Sequence, residues 1–267
     1  MVSSFGSEWA KFNSFEDADL EKISAEYFDI LDEKIINKGS YCIDIGCGTG
    51  RWSKCLLDKA GFIEAIDPSE AIFAADKLLP VGSNVRLSMA ATDNIPFADG
   101  TFDFGMSIGV LHHIPDTSRA LTDCVKKIKQ GGYFYIYLYY SLDNKGWLAK
   151  LLLSLVTGLR KVVSRLPGKL KRFVCDLLAV VVYMPLVLLS RLFFFLGFKK
   201  LSAKVPLSIY RNKSFYIIRN DALDRFGTRL EQRFSRAEII SMMTNAGLEE
   251  IIVSPGLPYW HAIGKKK

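Results

Sequence analysis

The chain has 267 residues, 49% of them hydrophobic and 24% charged, a balance that excludes disordered and fibrous classes and allows one large domain or two small ones. Five cysteines, an odd number with no CxxC pair, argue against a disulfide framework or a zinc ribbon and lead to the expectation of free thiols in a reducing, cytoplasmic setting. The formal charge of +7 is unevenly placed, since residues 145–213 hold 14 Lys/Arg and a single acid, Asp176, while the rest of the chain stands at −6.

The first segment turns acidic at once and lacks the apolar stretch of a secretory leader. Over residues 14–37 the spacing of Leu20, Ile23, Tyr27, Ile30, Leu31 and Ile35 predicts an amphipathic helix that stops at Asn37-Lys38-Gly39. From Tyr41 onward, short apolar runs alternate with helical stretches: YCIDIG, 51–60, FIEAID, 69–79, VRLSMA, FDFGMSIG, 117–128 and YFYIYLYY. Strands separated by helices imply an α/β fold with a parallel sheet covered on both faces. Near the end, Ser235 with Glu238 forms a capping box that opens a helix to Ala246-Gly247, and IIVSP and YWHAIG follow as strands.

Asp44-Ile-Gly46-Cys47-Gly48-Thr-Gly50 follows directly on a strand and opens a helix, so its backbone turns sharply and lets a ligand approach where side chains would obstruct it. A dinucleotide fingerprint would need a small residue where Arg51 stands, so a nicotinamide cofactor fits poorly. Asp67 ends the second strand, 21 residues after Gly46, where a carboxylate can accept from both ribose hydroxyls. The competing reading is structural, with glycines closing a strand-helix turn and Asp67 capping the next helix.

On DIGCGTGRW, AIDPSE, NIPFADGTFDFGMSIGVLHHIPD, IKQGGYFYIYLY and AEIISMMTNAGLEE, the chain resembles the class I S-adenosylmethionine-dependent methyltransferases, in the type 11, ubiquinone/menaquinone-biosynthesis-like branch. The resemblance implies a Rossmann-like, seven-stranded, mostly parallel sheet with an antiparallel last hairpin strand. It also implies S-adenosylmethionine as cofactor, with Asp44 and Gly46, Cys47, Gly48 and Gly50 around its methionine part and Asp67 and Pro68 at its ribose. Thr92 and Asp93 would lie at the adenine and Ile108 would help close the pocket. Relatives often read GDAxxLPF where this chain reads AATDNIPF, so Ala91 stands in place of the acid that contacts adenine.

A sulfonium methyl is already electrophilic, so few catalytic side chains are obligatory. His112 and His113, at the carboxyl end of a strand, are the candidates for a general base; their bland alternative is packing against the sheet and capping Pro115-Asp116. Tyr139 and Tyr140 end the fifth strand and are read as sharing a face and orienting the acceptor, with core filling the alternative for one of them. No NPPY-type tetrad, Pro-Cys nucleophile or metal-ligand spacing is present in the sequence, so methylation of an exocyclic base nitrogen, attack on a pyrimidine ring, a DNA partner and metal chemistry are not expected.

The basic segment holds two apolar helical patterns. Residues 147–166 present Trp147, Leu148, Leu151, Leu152, Leu155, Leu159, Val162, Val163 and Leu166 opposite a stripe of Lys150, Ser154, Thr157, Lys161 and Arg165, an amphipathic helix about 30 Å long. Residues 173–198 carry only Asp176 and Arg191 as charges; the length suits a span, while Asp176, Arg191 and Pro185 count against a simple one. The expected organisation is thus a methyltransferase domain at 1–144 and 214–267 with a basic helical insert at 145–213. The insert is read as a peripheral attachment to the inner membrane surface, with a lid, a homo-oligomer interface and a true span as competitors. The acceptor is expected to be an amphipathic small molecule or a lipid-linked one. RNA methylation and a non-catalytic scaffold are the alternatives.

Overall fold

Val, Ile, Phe and Tyr crowd the apolar runs, and glycine, proline or acidic residues bound them, so the first half of the chain folds as alternating strands and helices. The computed structural model describes residues 24–256 and 260–267. In chain order the strands are β1 (Tyr41–Ile45), β2 (Phe62–Ile66), β3 (Val85–Ser88), β4 (Phe102–Ile108), β5 (Ile128–Tyr137), β6 (Leu248–Val253) and β7 (His261–Lys266). They form one seven-stranded sheet in the order β3-β2-β1-β4-β5-β7-β6, parallel except for β7, which runs antiparallel to both β5 and β6. This is the mostly parallel, Rossmann-like sheet the resemblance implies. Helices α1 (Arg51–Leu56), α2 (Ile72–Leu78) and α3 (Thr117–Lys126) fill the crossovers.

The strand order reverses beside β1, whose neighbours are β2 on one side and β4 on the other. Register places Asp44 opposite both Ala65 and Met106, so the loops leaving β1, β2 and β4 emerge side by side at the carboxyl edge, where open α/β sheets bind ligands. Below that edge the strands are anchored in two apolar cores, one around Ile43, Ile45, Phe102, Leu121 and Phe134, the other around Cys42, Trp52, Ile63, Phe104 and Tyr135. Glu64 is buried among these strands, is paired with Arg86, whose Nε donates at 2.9 Å, and accepts from the Tyr41 hydroxyl at 2.6 Å.

Local details depart from the sequence reading for identifiable reasons. The helix expected over 14–37 is helical among the described residues only at 24–27; Leu20 and Ile23 lie outside them. Beyond Phe28 the Asp32 carboxylate accepts from the amides of Lys34 and Ile35, a local turn that competes with helix continuation. Tyr27, Ile30, Leu31 and Ile35 nonetheless pack on the core beside Trp52, as the apolar pattern expects, and Phe28 and Ile36, outside that pattern, are buried in it. The capping box at Ser235–Glu238 is present and opens the helix Arg236–Asn245. β6 begins at Leu248, three residues before the expected start, because Gly247 ends the helix and pairing resumes at once.

The insert boundary also moves. Chain contacts divide the molecule into Met1–Asp143 with Gln232–Lys267, and Asn144–Glu231, so the second unit runs to 231 rather than 213. The reason is α8 (Phe215–Gly227), whose Ile218, Ala222 and Phe226 share a core with Val163, Cys175, Ala179, Tyr183 and Val187 of this unit. Its other helices are α4 (Trp147–Val163), α5 (Gly168–Leu178), α6 (Met184–Phe195) and α7 (Lys199–Lys204). A π-turn at Ala179–Tyr183 joins α5 to α6 into one helix, Gly168–Phe195, and Pro185 is accommodated just after it, in the first turn of α6. α9 is the capped helix Arg236–Asn245 of the sheet unit.

Candidate functional site

Gly46, Gly48 and Gly50 all adopt positive φ, at 78°, 56° and 77°, which non-glycine residues resist. The turn is fixed from behind, since the amides of Gly46 and Cys47 both donate to the Ile66 carbonyl of β2. A Cβ on Gly46 would lie 2.6 Å from Val110, whereas one on Gly48 would meet nothing within 4 Å. The two glycines therefore do different work: Gly46 lets the loop pack on Val110, and Gly48 leaves open the side from which a ligand approaches. We expect Gly46→Ala to cost about 2–4 kcal/mol from strain plus overpacking, and Gly48→Ala about 1–2 kcal/mol from strain alone. Chemical denaturation of the two variants checks that ranking.

Two carboxylates flank the loop. Asp67 is 8% exposed; its Oδ2 accepts from the Gly48 amide at 2.9 Å and its Oδ1 from the Ser69 amide and hydroxyl at 2.8 and 2.6 Å. Asp67 thus ties the loop to the end of β2 and caps the turn after it. It does not cap the next helix, as the competing reading had it, since Ala71 is the N-cap of α2 and no side chain caps it; the free lone pairs of the carboxylate still allow a further donor. Asp44 is 1% exposed; its Oδ2 accepts from Ser53 at 2.7 Å, while its Oδ1 is buried without a hydrogen-bond partner. Burial pushes its carboxyl up to about 7, the nearby Asp67 charge adding and the Ser53 hydrogen bond opposing. Cys47 is buried, and burial with the two flanking carboxylates holds its thiol well above the usual range, so it is packing rather than a nucleophile.

The remaining expected residues are distributed around the same edge. Ile108, at the end of β4, is buried; Pro68 is exposed. Thr92 is half-buried and Asp93 exposed in the turn after β3, where the Asn94 amide donates to the Ala91 carbonyl. His112 and His113 form a 3-10 turn, Leu111–His113, beyond β4. The His112 ring is fully buried between Tyr139, stacked at 3.8 Å, and His113 at 4.1 Å, and both its nitrogens lack hydrogen-bond partners. Burial, aided by His113 and Arg233, holds it well below the usual histidine range, so it is neutral at pH 7. His113 is only half-buried and meets Tyr139 edge-on at 5.7 Å.

Tyr139 and Tyr140 do not share a face. Tyr139 stacks on His112, whereas Tyr140 lies edge-on to Trp260 at 5.4 Å and pairs with Phe234, because adjacent residues of an extended chain point in opposite directions. Several neighbours carry no sequence signal that ties them to this site. Tyr27 packs on Trp52 at 4.3 Å and on Tyr137 at 5.2 Å, bringing the N-terminal segment to the carboxyl edge. Arg233 lies over the Tyr139 ring at 5.4 Å, and the Gln232 amide donates to the His112 carbonyl at 3.0 Å.

Residues 43–136, which carry the glycine loop and the His112–His113 turn, match the Methyltransf_11 family, described as a methyltransferase domain. In that segment and in its sheet, the chain is similar to the class I S-adenosylmethionine-dependent methyltransferases. The chain is 31% identical over 144 residues to a sterol 4-C-methyltransferase of Caenorhabditis elegans, covering 49% of this chain and 42% of that protein. It is 26% identical over 153 residues to a ubiquinone biosynthesis O-methyltransferase of Marinobacter nauticus, covering 55% of this chain and 62% of that one. The matches thus span about half the length of these relatives. In fold it is similar to human N-acetylserotonin methyltransferase in complex with S-adenosylmethionine, with a TM-score of 0.55 at 13% identity, covering 98% of this chain and 56% of that one.

The residues present fit the family's cofactor. The orphaned, buried Asp44 Oδ1 calls for a cationic or N–H donor, which the α-ammonium of S-adenosylmethionine provides, and the open side of Gly48 leaves room for its approach.

Proposed function

We propose that this chain transfers the methyl group of S-adenosylmethionine to a small amphipathic or lipid-like acceptor. The observation that supports it most is the pairing, at the carboxyl edge of one sheet, of the Asp44–Gly50 loop with a polar-aromatic cluster of His112, His113 and Tyr139. When bound, S-adenosylmethionine supplies an electrophilic methyl on a positively charged sulfur. Asp44 would accept from its ammonium group and Asp67 from its ribose, the latter already held in place by Ser69 and the Gly48 amide. Thr92 and Asp93 would flank the adenine, and Ile108 would give the pocket an apolar wall.

His113, the more open of the two histidines, would take the proton of a hydroxyl acceptor. His112 acts through its neighbours: neutral and stacked on Tyr139, it fixes that ring and the orientation of His113. The sterol and quinone-biosynthesis names of the relatives favour a lipophilic acceptor, and the net negative charge of the chain outside 145–213 disfavours an RNA surface around the loop.

Two measurements test the reading. Calorimetry should show S-adenosylmethionine binding that weakens on Asp67→Ala; no binding at millimolar ligand would sink it. Mass spectrometry of lipid extracts incubated with the protein and labelled cofactor should then find a new methyl group, and label appearing on RNA alone would refute the acceptor class. With a hydroxyl acceptor, His113→Ala is expected to lower kcat about 100-fold or more and leave cofactor affinity unchanged.

A further inference from the structure

Unit 144–231 has an apolar core of its own and still exposes many large apolar side chains. Along the helix Gly168–Phe195, Cys175, Ala179, Tyr183 and Val187 recur every fourth residue as a buried stripe against α8. From Phe173 to Phe195 that helix carries two charges, and both are satisfied within the unit: Asp176 pairs with Arg219, and the Arg191 guanidinium donates to the Arg211 and Lys213 carbonyls. The opposite side exposes Phe173, Leu177, Leu188, Leu192 and Phe195, the last at 88%. On α4, Trp147, Leu151, Leu155 and Val162 form a second exposed stripe, with Trp147 at 72%. Apolar faces this large, on a unit that already has its own core, are surfaces for something else.

Charge identifies what covers them. The unit carries 17 basic and four acidic residues, a formal +13. Near the carboxyl end of the helix, Arg191, Phe194, Phe195, Arg211 and Asn212 line a cleft of about 490 Å³. Arg211 stacks on Phe194 at 4.2 Å and donates to Ser202 at 2.7 Å, which holds the guanidinium in place, while its Nε is buried without a hydrogen-bond partner. Two guanidinium groups beside two phenylalanines match an anionic phosphate attached to acyl chains.

We propose that residues 144–231 dock in the interface of an anionic phospholipid bilayer without crossing it, with the Arg191–Arg211 cleft receiving a lipid phosphate. The 28-residue helix is long enough to span. However, β5 before the unit and β7 after it pair in one sheet, so a single crossing would split that sheet across the membrane. The ion pair of Asp176 and the buried stripe also favour a helix lying along the surface. This docking is independent of the methyl-transfer reading, since vesicle binding needs neither cofactor nor acceptor.

The test is flotation of the full chain with two vesicle types, phosphatidylcholine alone and three parts phosphatidylcholine to one part phosphatidylglycerol. Binding to the anionic vesicles should exceed binding to the neutral ones at least tenfold, and should fall as salt is raised. The double variant Arg191→Gln/Arg211→Gln should lose roughly thirty-fold in affinity for the anionic vesicles and little for the neutral ones. Because Arg211 also bonds within the unit, Leu151→Glu/Leu155→Glu, two exposed positions, provides a second variant that keeps the fold by circular dichroism and abolishes flotation. Equal binding to both vesicle types, or an unchanged preference for anionic vesicles in Arg191→Gln/Arg211→Gln, would overturn the lipid-phosphate site. Resistance to alkaline carbonate with a protease-protected helix would show a crossing instead. Failure to float, with a dimer that Leu151→Glu/Leu155→Glu disperses, would assign the faces to a second copy of this chain.

Discussion

Asp44→Asn should make the ligand-free protein more stable at pH 8 while weakening its hold on S-adenosylmethionine, two effects of opposite sign from one atom. Burial raises the folded carboxyl from 3.8 to about 7, so the folded state binds this proton more tightly than the unfolded chain does. The resulting stabilisation is complete below the unfolded value, and it is lost as pH rises from about 4 through about 7. Three units correspond to roughly 4 kcal/mol forgone at pH 8. Asparagine keeps an oxygen for Ser53 and removes the charge but buries an amide N–H, a cost of about 1–3 kcal/mol. The net gain is therefore about 1–3 kcal/mol, or a few degrees in Tm.

Binding moves the other way. A hydrogen bond between charged partners contributes about 1.5–3 kcal/mol, so the variant should bind about ten- to a hundredfold more weakly. The wild-type protein should also release protons on binding between about pH 4 and 7, because a bound cation draws the Asp44 carboxyl back toward its ordinary value. Calorimetry in buffers of different ionisation enthalpy measures this directly. Unchanged affinity in Asp44→Asn, or binding without proton release in that range, would remove Asp44 from the cofactor site.

What the sequence disclosed and what it concealed follows the range of the interactions. The glycine loop and Asp67 were legible because their requirements are local: a turn of positive φ between strand and helix, and a carboxylate at the end of the next strand. The seven-stranded sheet was legible from period and punctuation together with the resemblance. Asp44 was named from the motif, but its buried, unpartnered oxygen depends on packing that no spacing encodes. Tyr139 and Tyr140 could have been separated by strand alternation alone. Tyr27, Gln232 and Arg233 reach the carboxyl edge through contacts 93 to 118 residues away in sequence or from a segment with no motif, so pattern reading had no purchase on them. The boundary at 231 was hidden for a similar reason, as α8 is neither markedly basic nor markedly apolar and declares its membership only through the core it shares.

Excision of residues 144–231, with Asp143 joined to Gln232 by a short glycine linker, is expected to leave a folded sheet unit that binds S-adenosylmethionine within about threefold of the full chain. The two ends already meet in that unit. Tyr140 and Phe234 form a parallel bridge, the Phe234 amide donates to the Tyr139 carbonyl at 2.8 Å, and the Ser141 amide donates to the Phe234 carbonyl at 3.0 Å. The Asp143 carboxylate accepts from the Arg236 amide at 3.0 Å and from the Trp260 indole at 2.9 Å, so both sides of the cut are fastened to the same elements. Each unit also has its own apolar core, so excision opens no cavity among Ile43, Phe102, Leu121 and Phe134. A loop of a few glycines costs little closure entropy compared with 88 ordered residues. Removing a +13 segment from a +7 chain leaves a unit at −6, which should be soluble and indifferent to anionic vesicles. A single cooperative melt within a few degrees of the full chain, together with retained cofactor binding and lost flotation, is the expected outcome. An excised protein that is unfolded by circular dichroism would show that the sheet depends on residues 144–231, and one that still floats would place the membrane contact in the sheet unit.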